Sequence, residues 1–500
     1  MRLMSRNVTR RFLLGGAASL IAVRAAAAEP PTSSLRPVLR GEDLSRRNVP
    51  EPDQIIRGQN LSGEVAFAVA EVGTGARLEQ SNAQEGTPPA SVAKALTALY
   101  ALDILGPDHR FETRLLATGG VTGGEIQGDL ILAGGGDPTL DTDALGTMAA
   151  NLKEAGIIGV KGDFLVYQAA LPVEAMIDPE QPDHVGYNPS VSGIALNYNR
   201  VHFEWKRGGD GYDVSMEGRS AKYRPGVQMA QMRVIDRKAP VYTYADAGLR
   251  DEWTVARRAL GNGGARWLPV RKPGLYAGDV FATLARSNGI VLGAPKITPT
   301  LPQDAKVLVT QRSGDLRGIL KDMLKWSTNL TAEMVGMAAS KKRVPELASL
   351  RASAEEMNKW AMANYGLIGP RMADHSGLSD DSRLTASDMV TALLEARGEG
   401  LRPILKSIRL RDSRGRPDGN HPIKVAAKTG TLNFVSGLAG YMVAEDGKEL
   451  AFAIFAADAK ERAQISREER ERPPGARGWN ARAKRVQQEL IERWSTLYGA

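Results

Sequence analysis

The chain has 500 residues, a formal net charge of +8 and no cysteine. The length suggests two or three domains, and 42% hydrophobic with 24% charged residues is typical of a folded globular protein and excludes a largely disordered one. The lack of cysteine excludes disulfides, thiolate nucleophiles, thiolate metal sites and lipid attachment through an N-terminal cysteine.

The N-terminus has the pattern of a signal peptide. Arg10 and Arg11 precede an apolar run that ends at Val23, and residues 25–28 are alanines that suit cleavage. The paired arginines resemble the twin-arginine export signal. About twelve apolar residues are too few to span a bilayer. We therefore expect residues 1–28 to be a cleaved signal peptide and the mature protein to be periplasmic, with no transmembrane segment.

Removing this segment changes the charge balance. Residues 1–28 contain five arginines and no lysine or acid, so the remainder has a net charge of +3. This balance, without a basic stripe interleaved with aromatic residues, gives no reason to expect nucleic acid as a partner. The five histidines are scattered, with no pair at the helical spacing of metal ligands, and we predict no metal and no cofactor.

The first predicted elements are a strand and a helix. Apolar residues alternate with small ones over residues 65–69, as in a half-buried strand. Two prolines at 88–89 then precede Ser91, and leucines follow at helical spacing between residues 96 and 105. Ser91 is therefore expected at the start of a helix.

The chain changes character between about residue 111 and about residue 298. Short apolar segments separated by glycine pairs and prolines indicate a β-rich insertion. Residues 134–136 are three glycines, but no Gly-Lys-Ser/Thr sequence follows, and Pro138 stands where a helix would begin. We interpret this run as a turn and not as a phosphate-binding loop.

Helical spacing returns at residues 316–323 and breaks before a second helix around residues 333–337. Ser327 and Asn329 are therefore expected on a short connection between two helices.

The C-terminal part predicts a sheet and a helix. Residues 423–428 indicate a strand, and residues 438–443 and 450–455 indicate an antiparallel hairpin. A last helix has four apolar residues on one face, which we expect to pack on the sheet rather than on a membrane surface. These are Val486, Leu490, Trp494 and Leu497.

Three short motifs combine the groups that serine acyl transfer needs. Ser91 and Lys94 lie three residues apart on one helical face, and a desolvated lysine can act as the base for a serine nucleophile. Ser327 and Asn329 supply a second hydroxyl and an amide, suited to proton relay and to holding a peptide backbone. Each motif alone is also compatible with an ordinary helix cap or loop.

The third motif ends the strand at residues 423–428. Lys428 and Thr429 supply a cation and a hydroxyl for a carboxylate, and Gly430 leaves room for a peptide to lie alongside as an added strand. Alone it is compatible with an ordinary strand end. Serine-x-x-lysine, serine-x-asparagine and lysine-threonine-glycine, in this order, form the set shared by penicillin-binding proteins and class A β-lactamases.

On these motifs the chain resembles the D-alanyl-D-alanine carboxypeptidase/endopeptidase family, peptidase family S13 of the penicillin-binding-protein-4 type. The long gap between the first two motifs resembles the large insertion of that family. Residues 134–140, 196–199 and 374–379 are similar to stretches typical of it. Two residues depart from the family pattern, Thr328 and His375, and we expect His375 to reshape the edge of the cleft.

The resemblance implies an α+β fold. A penicillin-binding transpeptidase/β-lactamase-like domain, an antiparallel sheet flanked by helices, would carry the large β-rich insertion. Residues 29–110 and 299–500 would form this discontinuous domain, and residues 111–298 the insertion, in one or two subdomains.

The resemblance also implies the roles of the site residues. The implied catalytic residues are Ser91 as nucleophile, Lys94 as its base, and Ser327 and Asn329 as the rest of the polar network. The implied substrate-binding residues are Lys428, Thr429, Gly430 and Thr431, with the backbone N–H groups of Ser91 and Thr431 forming the oxyanion hole.

The expected function is hydrolysis of peptidoglycan stem peptides by a serine-type D-Ala-D-Ala carboxypeptidase or DD-endopeptidase, with covalent binding of β-lactams to Ser91. One alternative is a β-lactamase, for which no glutamate is obviously placed to activate the deacylating water. A second is a catalytically weak wall-binding or β-lactam-sensing protein, against which the complete motif set argues. A third is a scaffold whose insertion binds partners.

Overall fold

The computed structural model describes residues 48–396 and 400–499. The predicted signal peptide lies outside the described residues. Among the described residues, no helix is both long enough and apolar enough to cross a bilayer.

The α-helices are numbered here in chain order. They are α1 Pro52–Gly58, α2 Ala93–Leu105, α3 Thr142–Glu154, α4 Pro273–Ser287, α5 Leu316–Trp326, α6 Asn329–Arg343, α7 Leu350–Tyr365, α8 Ala386–Glu395, α9 Ala459–Ala463 and α10 Ala476–Tyr498. Short 3-10 helices lie at Ala90–Val92, Asn197–Asn199, Arg257–Ala259 and Arg402–Ile404.

The strands are numbered in the same way. They are β1 Glu64–Glu71, β2 Arg77–Ser81, β3 Glu112–Ala117, β4 Val121–Thr122, β5 Glu125–Ile126, β6 Leu130–Gly134, β7 Gly159–Val160, β8 Phe164–Tyr167, β9 Arg200–Arg207, β10 Tyr212–Glu217, β11 Ala230–Ile235, β12 Tyr242–Asp246, β13 Asp251–Ala256, β14 Gly263–Pro269, β15 Lys296–Thr298, β16 Lys306–Arg312, β17 Lys406–Ile408, β18 Lys424–Leu432, β19 Val435–Val443 and β20 Glu449–Ala457.

A six-stranded antiparallel sheet, in the order β17-β18-β19-β20-β1-β2, is the centre of the chain. Alternate residues of β20 enter different cores. Phe452 and Ile454 pack on one side of the sheet with α10, whereas Ala453 and Phe455 pack on the other side with α2 and α8. The period of two in the sequence therefore buries both faces. The predicted hairpin is confirmed, because β19 and β20 pair antiparallel over their whole length.

The last helix packs on this sheet, as predicted. Val486, Leu490 and Trp494 are buried. The indole of Trp494 contacts the rings of Phe67 and Phe452, with centroid distances of 5.8 and 5.9 Å. Burying such an indole stabilises the fold by about 3–5 kcal/mol, judged by the usual cost of truncating it to alanine.

The segment between β3 and β16 contains a second core. A five-stranded sheet, in the order β15-β8-β6-β3-β16, shares this core with α3 and α4, two helices that the sequence analysis did not predict. Three further three-stranded sheets complete the segment. Since β16 pairs with β3, this sheet extends to Arg312. The domain boundaries stay a prediction.

The glycine run at the end of β6, residues 134–136, allows the chain to pack closely against neighbouring segments. A Cβ on Gly134 would lie 2.4 Å from the Ile194 side chain, and one on Gly135 would lie 2.2 Å from the Glu112 carbonyl oxygen. Gly136 has a φ of +90°, which favours glycine. The run therefore lets the chain turn tightly against its neighbours.

Candidate active site

The turn that contains Ser91 packs between the backbones of two other segments, the loop of residues 374–379 and strand β18. Ala90 has a φ of +46°, and Ser91 follows it in the 3-10 helix before α2. A Cβ on Gly377 would lie 2.0 Å from the Ala90 carbonyl oxygen. A Cβ on Gly430 would lie 2.7 Å from the Pro89 carbonyl oxygen and 3.1 Å from Ser91 N. Glycine at these two positions therefore allows the loop of residues 374–379 and strand β18 to pack closely against the Ser91 turn.

Lys94 lies one turn after Ser91 and is completely buried. Its Nζ lies 3.0 Å from Ser91 Oγ and 2.8 Å from both Asn329 Oδ1 and the Ser376 carbonyl oxygen. Burial disfavours the ammonium and lowers the pKa of Lys94 to about 8. The amine is therefore in contact with the serine hydroxyl and near its own titration point at neutral pH.

Ser327 and Asn329 lie on the connection between α5 and α6, as the sequence predicts. Ser327 ends α5 with a left-handed φ of +61°, and Asn329 is the first residue of α6. Asn329 accepts a hydrogen bond from Lys94 through Oδ1 and donates one through Nδ2 to the Tyr187 carbonyl oxygen, at 2.9 Å. A backbone carbonyl from the insertion thus fixes which amide atom faces the lysine.

Lys428 lies on β18, opposite the first motif. Its Nζ donates to Ser327 Oγ at 3.0 Å and to the Thr429 carbonyl oxygen at 2.7 Å. The side chain is buried, and burial together with the charge of Lys94 lowers the pKa of Lys428 well below its usual value. The hydrogen bond from Lys428 to Ser327 therefore links the third motif to the second.

A cleft of about 310 Å³ lies in front of these groups. From the predicted site it is lined by Ser91, Ser327, Asn329 and Thr431. Gln181 and Tyr187 from the insertion and Arg462 and Arg470 from the C-terminal part line it as well. The structure thus brings the three motifs together, with Thr429 exposed on β18 and Gly430 packed under Ser91.

Two buried acids near Lys94 are absent from the sequence prediction. Glu333 accepts hydrogen bonds from the backbone N–H groups of His375 and Ser376, at 2.8 and 3.0 Å. Its burial raises its pKa to about 8. Since the Ser376 carbonyl accepts from Lys94, Glu333 positions an acceptor of the lysine. The available sequence signal is its spacing of four residues from Asn329 on α6, which places both on one helical face.

Asp374 fixes the same loop from within. Its carboxylate accepts from the backbone N–H groups of Gly377 and Ser379, at 2.9 and 2.7 Å, and from Ser382 Oγ, at 3.0 Å. Burial raises the pKa of Asp374. The loop is therefore held by local hydrogen bonds as well as by Glu333.

The expectation that His375 reshapes the cleft edge is wrong. Its side chain is completely buried, with Nε2 2.7 Å from Ser353 Oγ and the ring stacked on Tyr100. Burial lowers the pKa of His375 to about 3, so the imidazole is neutral. Gly336 makes room for it, because a Cβ there would lie 2.3 Å from the ring. The large side chain is accommodated inside the helical core.

One group among the described residues places an imidazole and two carboxylates close together. It consists of His202, Glu204 and Glu217. Arg219 contacts both carboxylates, at 2.7 Å to Glu204 and 2.9 Å to Glu217. One of their two negative charges is therefore already balanced by a guanidinium.

Comparison with known proteins agrees with the motif set. A family model described as the D-Ala-D-Ala carboxypeptidase 3 (S13) family matches residues 51–472. The chain is 29% identical over 442 residues to the D-alanyl-D-alanine carboxypeptidase of Actinomadura sp. (strain R39), covering 80% of this chain and 79% of that protein. It is 24% identical over 390 residues to the D-alanyl-D-alanine carboxypeptidase DacB of Haemophilus influenzae, covering 73% and 79%.

The fold is similar to a solved structure. Penicillin binding protein 4 from Haemophilus influenzae superposes with a TM-score of 0.68 at 20% identity, covering 90% of this chain and 99% of that chain. This match confirms the predicted fold class. The family match over most of the chain confirms the predicted class of enzyme, a carboxypeptidase and thus a hydrolase. The chain therefore belongs to the D-Ala-D-Ala carboxypeptidase 3 (S13) family.

Proposed function

We propose that the protein hydrolyses the D-Ala-D-Ala end of peptidoglycan stem peptides through an acyl-enzyme on Ser91, and that it cleaves cross-links of the same stereochemistry. The observation that supports these residue roles is the 3.0 Å contact between Ser91 Oγ and the buried Nζ of Lys94. A hydroxyl next to a desolvated amine is the arrangement that activates a weak nucleophile.

In the acylation step, neutral Lys94 accepts the proton of Ser91 as Oγ attacks the carbonyl carbon of the penultimate D-Ala. The C–N bond to the last D-Ala then breaks, and its amine leaves with that proton, relayed through the Ser327 hydroxyl. Water hydrolyses the resulting ester and restores Ser91. The backbone N–H groups of Ser91 and Thr431 stabilise the oxyanion, each worth roughly 3–4 kcal/mol in other acyl transferases.

The substrate is proposed to lie along β18 as an added strand. Strand β17 pairs only with residues 425–427 of β18, so within the described part of the chain no strand covers the same edge of residues 428–432. An extended peptide on that edge gains backbone hydrogen bonds. Lys428, the first residue of this uncovered edge, then pairs with the terminal carboxylate of the substrate.

A labelled penicillin tests the nucleophile, because its ring amide is attacked by the same group. Ser91→Ala is expected to lose covalent labelling entirely, while Ser287→Ala, an exposed serine on α4, labels as the wild type does. Mass analysis of the labelled peptide locates the adduct. Full labelling of a folded Ser91→Ala protein contradicts the assignment, and rapid release of hydrolysed penicillin indicates a β-lactamase instead.

We also propose that the chain is exported to the periplasm with residues 1–28 removed, and that residues 29–110 and 299–500 form the catalytic domain around the insertion. The signal pattern of the sequence supports export. N-terminal analysis of the mature protein is expected to begin near Glu29. Retention of Met1 on exported protein would contradict cleavage.

A further inference from the structure

A groove of about 1000 Å³ continues from the catalytic cleft along the first half of α10. Cleft and groove share the residues Thr431, Asn433, Glu471 and Asn480. Five cationic side chains line the rest, and we name this surface the basic groove. They are Arg411, Arg472, Arg477, Lys484 and Arg485.

The cations of the basic groove are not paired in salt bridges among the described residues. All five cations are exposed, and among the described residues none of them has a carboxylate within 4.0 Å. The acid that lines the groove, Glu471, is already paired with Arg266 at 3.0 Å and His184 at 2.7 Å. Because the chain after residue 28 has a net charge of only +3, this is a local concentration of charge rather than an overall excess.

A further feature suits an anionic chain. The groove includes the start of α10 at Ala476 and Arg477, where the dipole of a 23-residue helix adds positive potential. Asn480 stands at the junction of cleft and groove. Its Nδ2 donates to the Leu432 carbonyl oxygen at 2.9 Å, while its Oδ1 is buried without a partner among the described residues.

We propose that the basic groove binds an acidic peptide, namely the part of the substrate chain that lies beyond the residues held in the cleft. This inference rests on the proposed function, because a peptide on the free edge of β18 runs past Thr431 and Leu432 to Asn480, where the groove begins. Free carboxylates on that part of the peptide would pair with the exposed cations. The enzyme would thus favour wall peptides with free carboxylates over those with amidated ones.

Binding to Ser91→Ala protein tests the proposal without turnover. Two fluorescent peptides end in D-Ala-D-Ala, and one has three glutamates further toward its N-terminus where the other has three glutamines. The glutamate peptide is expected to bind roughly tenfold more tightly at low salt, with the advantage lost near 1 M salt. Adding Arg477→Gln and Arg485→Gln is expected to reduce this ratio to about two or less. Adding Arg257→Gln and Arg258→Gln, exposed arginines outside cleft and groove, leaves it unchanged.

The outcomes separate this inference from the proposed function. An unchanged ratio in the groove variant, an equal loss for both peptides, or no binding of either peptide overturns the inference. Stronger competition by poly(glycerol phosphate) than by the glutamate peptide assigns the groove to a phosphate polymer and also overturns it. Penicillin labelling of the otherwise wild-type groove variant is expected to stay within twofold of the wild-type protein. If penicillin does not label the wild-type protein, the proposed function is contradicted. The affinity ratio of the two peptides then still tests whether the basic groove binds an acidic peptide.

Discussion

Lys94 and Lys428 are both buried behind the cleft, each in contact with a serine that lines it, and burial lowers the pKa of each. The consequences differ because the partners differ. Lys94 contacts Ser91, whereas Lys428 contacts Ser327 and the Thr429 carbonyl oxygen. In the proposed mechanism Lys94 must accept a proton, whereas Lys428 must be a cation when the substrate carboxylate binds. An incoming carboxylate favours the ammonium of Lys428 and raises its pKa.

The pH dependence of acylation should report Lys94. Because the amine accepts a proton only when neutral, the rate of penicillin acylation is expected to rise with pH and to reach half its maximum near pH 8. When Glu333 is ionised, its negative charge favours the Lys94 ammonium. Glu333→Gln should therefore move this midpoint to lower pH. It should also slow acylation at all pH values, because one backbone N–H at residues 375–376 loses its acceptor. A midpoint unchanged from the wild type would contradict this coupling.

The role of Lys428 is tested with a pair of substrates. Lys428→Gln is expected to lower kcat/KM on a D-Ala-D-Ala peptide by about one to two orders of magnitude, since a charge-assisted contact is worth about 1.5–3 kcal/mol. The same peptide with an amidated C-terminus should lose far less. Lys94→Gln serves as the comparison, because loss of the base affects both substrates alike. Equal losses on both substrates for Lys428→Gln, at unchanged Tm, would show that another group binds the carboxylate.

At the scale of elements, the site depends on how closely β18 approaches the Ser91 turn. Strand β18 and the 3-10 helix that contains Ser91 contact each other directly because Gly430 has no side chain. Gly437 on β19 also lies close to the Ser91 turn, since a Cβ there would lie 3.1 Å from the Pro89 carbonyl oxygen. The glycine of the third motif therefore has a packing role in addition to leaving room for substrate.

Gly430→Ala tests this approach. The added Cβ would lie 2.7 Å from the Pro89 carbonyl oxygen, so β18 and the turn must separate. Such overpacking costs about 1–3 kcal/mol. We expect a lower Tm and at least a tenfold slower acylation by penicillin. Gly478→Ala on α10 is the matched control, because its Cβ would have only the Arg482 guanidinium within 4 Å, at 3.7 Å. Acylation of the Gly430→Ala protein at the wild-type rate would contradict this packing role of Gly430.

At the scale of the whole molecule, the segment between β3 and β16 contributes residues to the candidate site. The Tyr187 carbonyl orients Asn329, and the Tyr187 side chain lines the cleft. Glu471 joins the insertion to the C-terminal part through His184 and Arg266. These contacts connect residues that are between 142 and 287 positions apart in sequence, so a shift of the insertion is expected to disturb Asn329 and hence Lys94.

The Glu471 contact should stabilise the chain in a pH-dependent manner. Hydrogen bonding to His184 and the charge of Arg266 lower the pKa of Glu471 to about 2. The stabilisation is therefore present above the unfolded-state pKa of about 4.5 and is lost as pH falls towards 2. Glu471→Gln is expected to reduce the free energy of unfolding by about 1–2 kcal/mol at pH 7. In urea titrations the difference from wild type should shrink below pH 4.5, and a constant difference down to pH 3 would contradict this origin.

Local sequence determined the enzyme class and most of the candidate site. Ser91 with Lys94, Ser327 with Asn329, and Lys428 with Gly430 are close in sequence within each pair, so helical and strand spacing alone places their groups. The order of the motifs then indicates how they combine. The β19–β20 hairpin and the apolar face of α10 follow from the same local periodicity.

The remaining features were decided by the tertiary structure because they depend on distant residues. The sequence does not show that Glu333 supports the loop that bonds Lys94, that His375 is buried, or that Tyr187 orients Asn329. Helices α3 and α4 of the insertion, which share a core with its sheets, were also missed. The basic groove combines side chains from residues 411–485 whose charges are diluted in the sequence, and only folding places them on one surface. Burial, which sets each pKa in the site, is likewise a property of the assembled core.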